Sequence, residues 1–183
     1  MSGICRGVYT GLFLLVAGIL IFPLFAIPSR AIDNQIQERR LSFYNTHTNE
    51  RLTVIYKKGG GYVLGAMAKI SHILRDHRAN EIHAIDPRLM DFLYDLLTAV
   101  NNHGEVHIIS GFRSPKTNAK LRQKSKGVAR GSLHMQGKAL DFRLPGTDTA
   151  LLRDTARNMK RGGVGYYKKS DFIQIDTGRV RNW

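Results

Sequence analysis

Ser132-Leu133-His134-Met135-Gln136-Gly137-Lys138-Ala139-Leu140-Asp141 is the stretch on which the reading of this chain turns. It sets an imidazole and a carboxylate seven residues apart, with a glycine between them. His134 sits among small and polar residues, as on a loop. Ala139 to Leu144 reads as a short strand carrying Asp141. One nitrogen and one oxygen donor, on a loop and the strand after it, make half of a catalytic zinc site, which takes three protein ligands and leaves a fourth position for water. Spacing alone does not establish such a site, because most His–Asp pairs this far apart are unrelated.

Working outward, Val106 to Ile109 is a buried-strand candidate running into Ser110-Gly111-Phe112-Arg113-Ser114-Pro115. A polar turn with an arginine directly after an apolar strand is a common way to hold a functional side chain at a sheet end. Pro115 to Ser125 is expected to be a basic helix, with Lys116, Lys120, Arg122 and Lys124. Upstream, Leu41–Tyr44 and Leu52–Tyr56 are β-like runs around His47–Glu50 and read as a hairpin, with Asp33–Arg40 before them as a linker or a first turn of helix. The run Gly59–Gly61 breaks the chain. Val63, Met67, Ile70 and Leu74 then recur at helical spacing. Asp86-Pro87 starts a second helix, striped by Leu89, Leu93, Leu96, Leu97 and Val100 and ended by Asn101, Asn102 and Gly104. Downstream, Thr147 or Asp148 caps a helix through Arg161, with Leu151, Leu152 and Met159 expected inward. Val164–Tyr167 and Phe172–Asp176 read as a closing hairpin. The fold class expected is a single-domain α+β fold, a mixed or antiparallel sheet with flanking helices, over residues 32–183.

The 183 residues carry a formal charge of +14, which favours an acidic partner: nucleic acid, an anionic membrane surface or an anionic polymer such as cell wall. Residues 1–31 read as a targeting segment, with Arg6 ahead of the apolar Leu12–Phe22 and Ser29-Arg30-Ala31 as a cleavage site. Cleavage after Ala31 is expected over an uncleaved inner-membrane anchor; in either case the body is exported to the periplasm. Membrane contact then arises only if the leader stays on. Cys5 precedes the apolar run, so the exported domain has neither a disulfide frame nor a cysteine nucleophile. Export also argues against a nucleic-acid partner.

Ser132-x-His134-x-x-Gly137-x-Ala139-x-Asp141, preceded by Ser110-Gly111-Phe112-Arg113-Ser114, resembles the zinc peptidases that cleave D-amino-acid bonds in bacterial cell wall, and within them the murein endopeptidase K group. The likeness runs from Leu41 through Asp76-x-Arg78-Ala79-Asn80 and Ile85-Asp86-Pro87 to Gly162–Tyr167 and Trp183. It implies a peptidase acting on peptidoglycan peptides, with one zinc ion at the end of a mixed sheet. His134 and Asp141 fall on two zinc-ligand positions. Arg113 falls on the arginine that orients substrate or steadies charge on the scissile carbonyl. Such relatives carry a third-ligand histidine in the last strand; here Gln174 holds that place, in Phe172-Ile173-Gln174-Ile175-Asp176. Three outcomes are open: Asp176 completes the site, Gln174 ligates weakly, or the site is lost and the fold survives as a wall-binding module. Asp176 and Asp171 are the candidate proton-handling carboxylates. Of the other histidines, His107 stands nearest as a substitute ligand; His47, His72, His77, His83 and His103 read as surface or capping residues. Asp76 and Arg78 are expected to form a structural ion pair, and Ser132 to orient the loop by a hydrogen bond.

Overall fold

A computed structural model describes Gly3, residues 37–125 and residues 127–183. The leader of residues 1–31 lies almost wholly outside the described residues. Among those described, no helix is long and apolar enough to cross a membrane.

The framework is one mixed sheet with strand order β3-β2-β1-β4-β5-β7-β6-β8. β1 (Glu38–Asn45) and β2 (Arg51–Lys58) form the expected antiparallel hairpin. The strand starts earlier than expected: Glu38–Arg40, read as linker or helix, extend β1 because Lys57 and Lys58 on β2 give them partners. The two-residue β3 (Gly61–Tyr62) adds the edge. β4 (Val106–Ser110) runs parallel to β1 and antiparallel to β5 (Ala139–Arg143). β7 (Phe172–Asp176) pairs with β5 on one side and β6 (Gly163–Tyr167) on the other, both antiparallel. A last short strand, β8 (Arg181–Asn182), lies parallel to β6 and was not foreseen. With both parallel and antiparallel pairs and packed helices, the architecture is the α+β single domain expected.

Helix α1 (Leu64–Ile73) buries Met67, Ile70 and Ile73 at helical spacing. α2 (Pro87–Ala99) begins as its sequence dictates: Pro87 needs no amide partner in the first turn, and the Asp86 carboxylate accepts from Arg88 N. α3 (Pro115–Lys124) is capped in the same way by Ser114, which accepts from Thr117 N at 3.2 Å. α4 (Thr149–Met159) is capped by Asp148 through two backbone amides. Leu151, expected inward, is 53% exposed; the helix turns Leu152 and Ala156 to the core instead.

The core runs continuously from the hairpin to the last strands, with Phe43, Leu93, Ile108, Phe142 and Ile175 fully or almost fully buried. Away from the cleft, Asp91 ties the hairpin to α2. Its carboxylate accepts from Tyr56 Oη (2.9 Å), Tyr62 Oη (2.6 Å) and Lys57 Nζ (2.9 Å). Although burial favours its neutral form, these donors hold the Asp91 carboxyl below the ordinary carboxylate range.

Candidate active site at the β5–β7 sheet end

His134 does not sit on an open loop. Leu133–Gln136 forms a single 3-10 turn that enters β5 through Gly137 and Lys138. Gly137 closes the turn with φ +63°, and a Cβ there would collide with the carbonyl of Ala84. Only glycine fits this position without strain. The Gly137 carbonyl accepts from Asp86 N at 3.0 Å, fixing the turn against the start of α2.

The first approach to His134 comes from the β4 turn. Its Nδ1 lies 2.7 Å from the carbonyl of Gly111. A carbonyl only accepts, so Nδ1 is the protonated nitrogen and Nε2 of the neutral ring carries a lone pair. Arg113 N closes the same contact by donating to His134 O at 3.2 Å. Gly111 is itself forced, because a Cβ there would strike the carbonyl of Leu74. The Ser110–Ser114 turn therefore presets both tautomer and ring orientation, the usual task of groups just behind a metal ligand.

His134 Nε2 stands 3.2 Å from Asp141 Oδ1. Both atoms are buried, and neither has a hydrogen-bond partner among the described residues. Two facing lone pairs without a donor are unfavourable unless a cation lies beside them. Two donors at tetrahedral angles, each 2.0–2.1 Å from zinc, stand about 3.3 Å apart. The orphaned pair therefore fits a zinc-sized ion in both chemistry and spacing.

Strand register supplies the next group. Asp141 on β5 is the direct cross-strand partner of Gln174 on β7, so the two side chains share a sheet face. The cleft of about 460 Å³ over this face is lined by Arg113, His134, Asp141 and Gln174, and by Tyr167, Phe172, Arg181 and Trp183. No group of three or more His, Cys, Asp or Glu converges among the described residues. Only an amide stands where a third ionisable ligand was sought.

Arg113 reaches the cleft with Nη2 3.9 Å from Asp141 Oδ2. Nη2 also donates to Ser110 Oγ at 3.2 Å, while Nε is buried and unpaired. Burial holds this guanidinium below the usual arginine range, against the pull of Asp141. It remains a cation at neutral pH, and the residue lines the cleft.

Asp176 does not join this group. It is fully buried and does not line the cleft. Oδ1 accepts from Gly163 N (3.0 Å), Gly178 N (2.9 Å) and Arg181 Nη1 (3.1 Å), and Oδ2 from Arg181 Nη2 (2.7 Å). Same-face placement two residues from Gln174 is not enough, because these donors already occupy the buried carboxylate. Asp176, expected as a metal ligand or proton-handling group, has its carboxylate engaged by these donors in this structure and lies outside the cleft lining. Asp171 is exposed and bonded to Thr149, with Arg143 4.0 Å away, so it too lies apart. His107 is spent on Tyr44 and Glu105. Asp76 and Arg78 form no ion pair: Asp76 accepts from backbone amides, including Arg78 N at 3.0 Å and Ser114 N at 3.0 Å. Ser132 acts through its carbonyl, which accepts from Met135 N, and makes no side-chain cap.

Sequence reasoning missed the aromatic wall. Tyr167 stacks on Phe172 with centroids 4.5 Å apart, Trp183 Nε1 donates to Tyr167 Oη at 3.1 Å, and the Arg181 guanidinium lies 4.8 Å over Trp183. Arg181 in turn is held by Asp176. Asp176→Ala is expected to cost about 3 kcal/mol by leaving Arg181 and two amides without their acceptor. Urea unfolding measures this loss. A variant as stable as the parent refutes the anchoring role.

Residues 33–183 match the family described as peptidoglycan L,D-endopeptidase MepK. The chain is 43% identical over 167 residues to the peptidoglycan L,D-endopeptidase MepK of Escherichia coli strain K12, covering 91% of this chain and 89% of that protein. It is 40% identical over 146 residues to a Haemophilus influenzae protein named "Probable peptidoglycan L,D-endopeptidase MepK", covering 79% of this chain and 78% of that one.

Proposed function

This chain belongs to the family of peptidoglycan L,D-endopeptidases, and from that premise we propose that it hydrolyses an L,D peptide bond in peptidoglycan cross-links at the cleft over β5 and β7. Peptidoglycan L,D-endopeptidase is what the relatives carry in their names. A silent wall-binding protein, the alternative that Gln174 raises, is not favoured by relatives named as endopeptidases. A peptidoglycan substrate supports action in the periplasm.

Peptidases of this family are generally zinc-dependent. His134 Nε2 and Asp141 Oδ1 would hold the ion, with Gln174 as a neutral third donor on the same sheet face. When bound, such an ion supplies Lewis acidity toward the scissile carbonyl and acidifies water toward a pKa of about 7. The remaining work falls to the chain's own groups. Arg113 lines the cleft, where its guanidinium is placed to steady charge developing on the carbonyl oxygen or to meet a substrate carboxylate. Among the described residues Asp141 is the one carboxylate lining the cleft, with its Oδ2 facing Arg113. Tyr167, Phe172 and Trp183 give the substrate an apolar wall and narrow the access of water.

The observation carrying this reading is the orphaned His134–Asp141 pair. Purified enzyme is expected to convert cross-linked muropeptides to monomers in mass spectra, to stop with chelator and to recover with zinc. Absence of cleavage together with absence of bound metal overturns it.

A further inference from the structure

A second cavity, of about 440 Å³, lies between α3 and the turn Asp76–Glu81. Arg78, Lys116, Lys120 and Lys124 line it, against the single carboxylate of Glu81, for a lining charge of +3 (four cations less one anion). Lysines four residues apart occupy one helix face, so Lys116 and Lys124 stand about 12 Å apart along the axis. All four cations are exposed, and none forms an ion pair among the described residues.

The walls are fixed in relation to each other. The turn is pinned by paired backbone bonds between Asp76 and Glu81, and Asn80 takes a left-handed φ of 52°. Asp76 Oδ2 accepts from the amide of Ser114, the residue that caps α3. The Asp76-x-Arg78-Ala79-Asn80 motif thus sets an unpaired arginine opposite a row of unpaired lysines. A row of like charges is costly to keep unless an anionic ligand offsets it, and the fixed backbone walls hold the row in place for one.

The same helix borders the catalytic cleft: Ser125, directly after α3, lines the space around His134 and Asp141. A polymer lying in that cleft passes within reach of α3. Lysine ammonium groups are point charges on flexible stems, suited to scattered carboxylates rather than to one planar group. Among the described residues, no exposed large apolar side chain lines the cavity to enter a bilayer.

We infer that this cavity is an exosite for the free carboxylates of peptidoglycan stem peptides beside the one being cut, holding the enzyme on the wall without taking part in hydrolysis. The inference rests on the peptidase reading above. The test is the full chain carrying Lys116→Gln, Lys120→Gln and Lys124→Gln, all at exposed positions. The triple variant is expected to bind purified sacculi about 10-fold more weakly at low salt, the effect of three modest ion pairs, with a flatter salt dependence. Cleavage of a soluble cross-linked muropeptide dimer stays within about twofold. Unchanged sacculus binding overturns the exosite. So does a parallel fall in dimer cleavage, which assigns the lysines to the cleft, or lysine-dependent capture by phosphatidylglycerol vesicles with sacculus binding intact. If the parent protein leaves the dimer uncut, the peptidase reading fails, while lysine-dependent sacculus binding still decides the exosite.

Discussion

Replacing His134 by alanine is expected to lower muropeptide cleavage by at least about 10³-fold and to abolish stoichiometric zinc binding. Groups that merely support a metal ligand command about 10–100-fold, and His134 is argued to be a ligand itself. Without the ring, Asp141 is left as the single carboxylate donor in the cleft among the described residues, since Gln174 brings a neutral amide and Asp176 is engaged by Arg181 outside the lining. The variant also loses the Nδ1–Gly111 bond, which costs about 1–3 kcal/mol as a buried carbonyl goes unsatisfied. Circular dichroism must therefore show the variant folded at the assay temperature. Zinc titration then separates the two causes of inactivity. A folded His134→Ala protein that takes up zinc like its parent removes the imidazole from the site.

The second large effect is a gain. Gln174→His is expected to raise zinc affinity by about 10–100-fold or more, because imidazole nitrogen suits zinc far better than an amide oxygen. The backbone needs no change. Position 174 already faces Asp141 across the β5–β7 ladder, and its half-buried side chain already lines the cleft. Competition against a chelator of known affinity reads the change without reference to turnover. Chelator concentrations that silence the parent are expected to leave the variant active. An affinity equal to the parent's places residue 174 outside the coordination sphere.

Much of this was legible in the sequence because local rules carried it. The hairpin, the Pro-led helices α2 and α3 and strand β5 all follow from periodicity and caps spaced a few residues apart. The pairing of His134 with Asp141 was legible through its motif and not through spacing. What made it a pair is Gly111, whose carbonyl reaches His134 across 23 positions of sequence. The fate of Asp176 was not legible. Its partners are the amides of Gly163 and Gly178 and the guanidinium of Arg181, which the turn beyond β7 brings back onto it. No pattern in Phe172–Asp176 announces that return. The aromatic wall was hidden for the same reason, since Trp183 reaches Tyr167 only after β8 pairs with β6. Leu151 misled because a helix of this length offers two apolar neighbours and the sheet accepts only Leu152.

The ladder between β5 and β7 has a consequence for assembly. Side chains alternate along a strand, so a slip of one residue turns Gln174 to the opposite face and leaves Asp141 opposite an isoleucine. A competent donor set therefore exists only in the correctly zipped sheet. Cation uptake by a refolding chain reads out that registration, and by mass action the ion deepens the properly threaded state over its shifted neighbours.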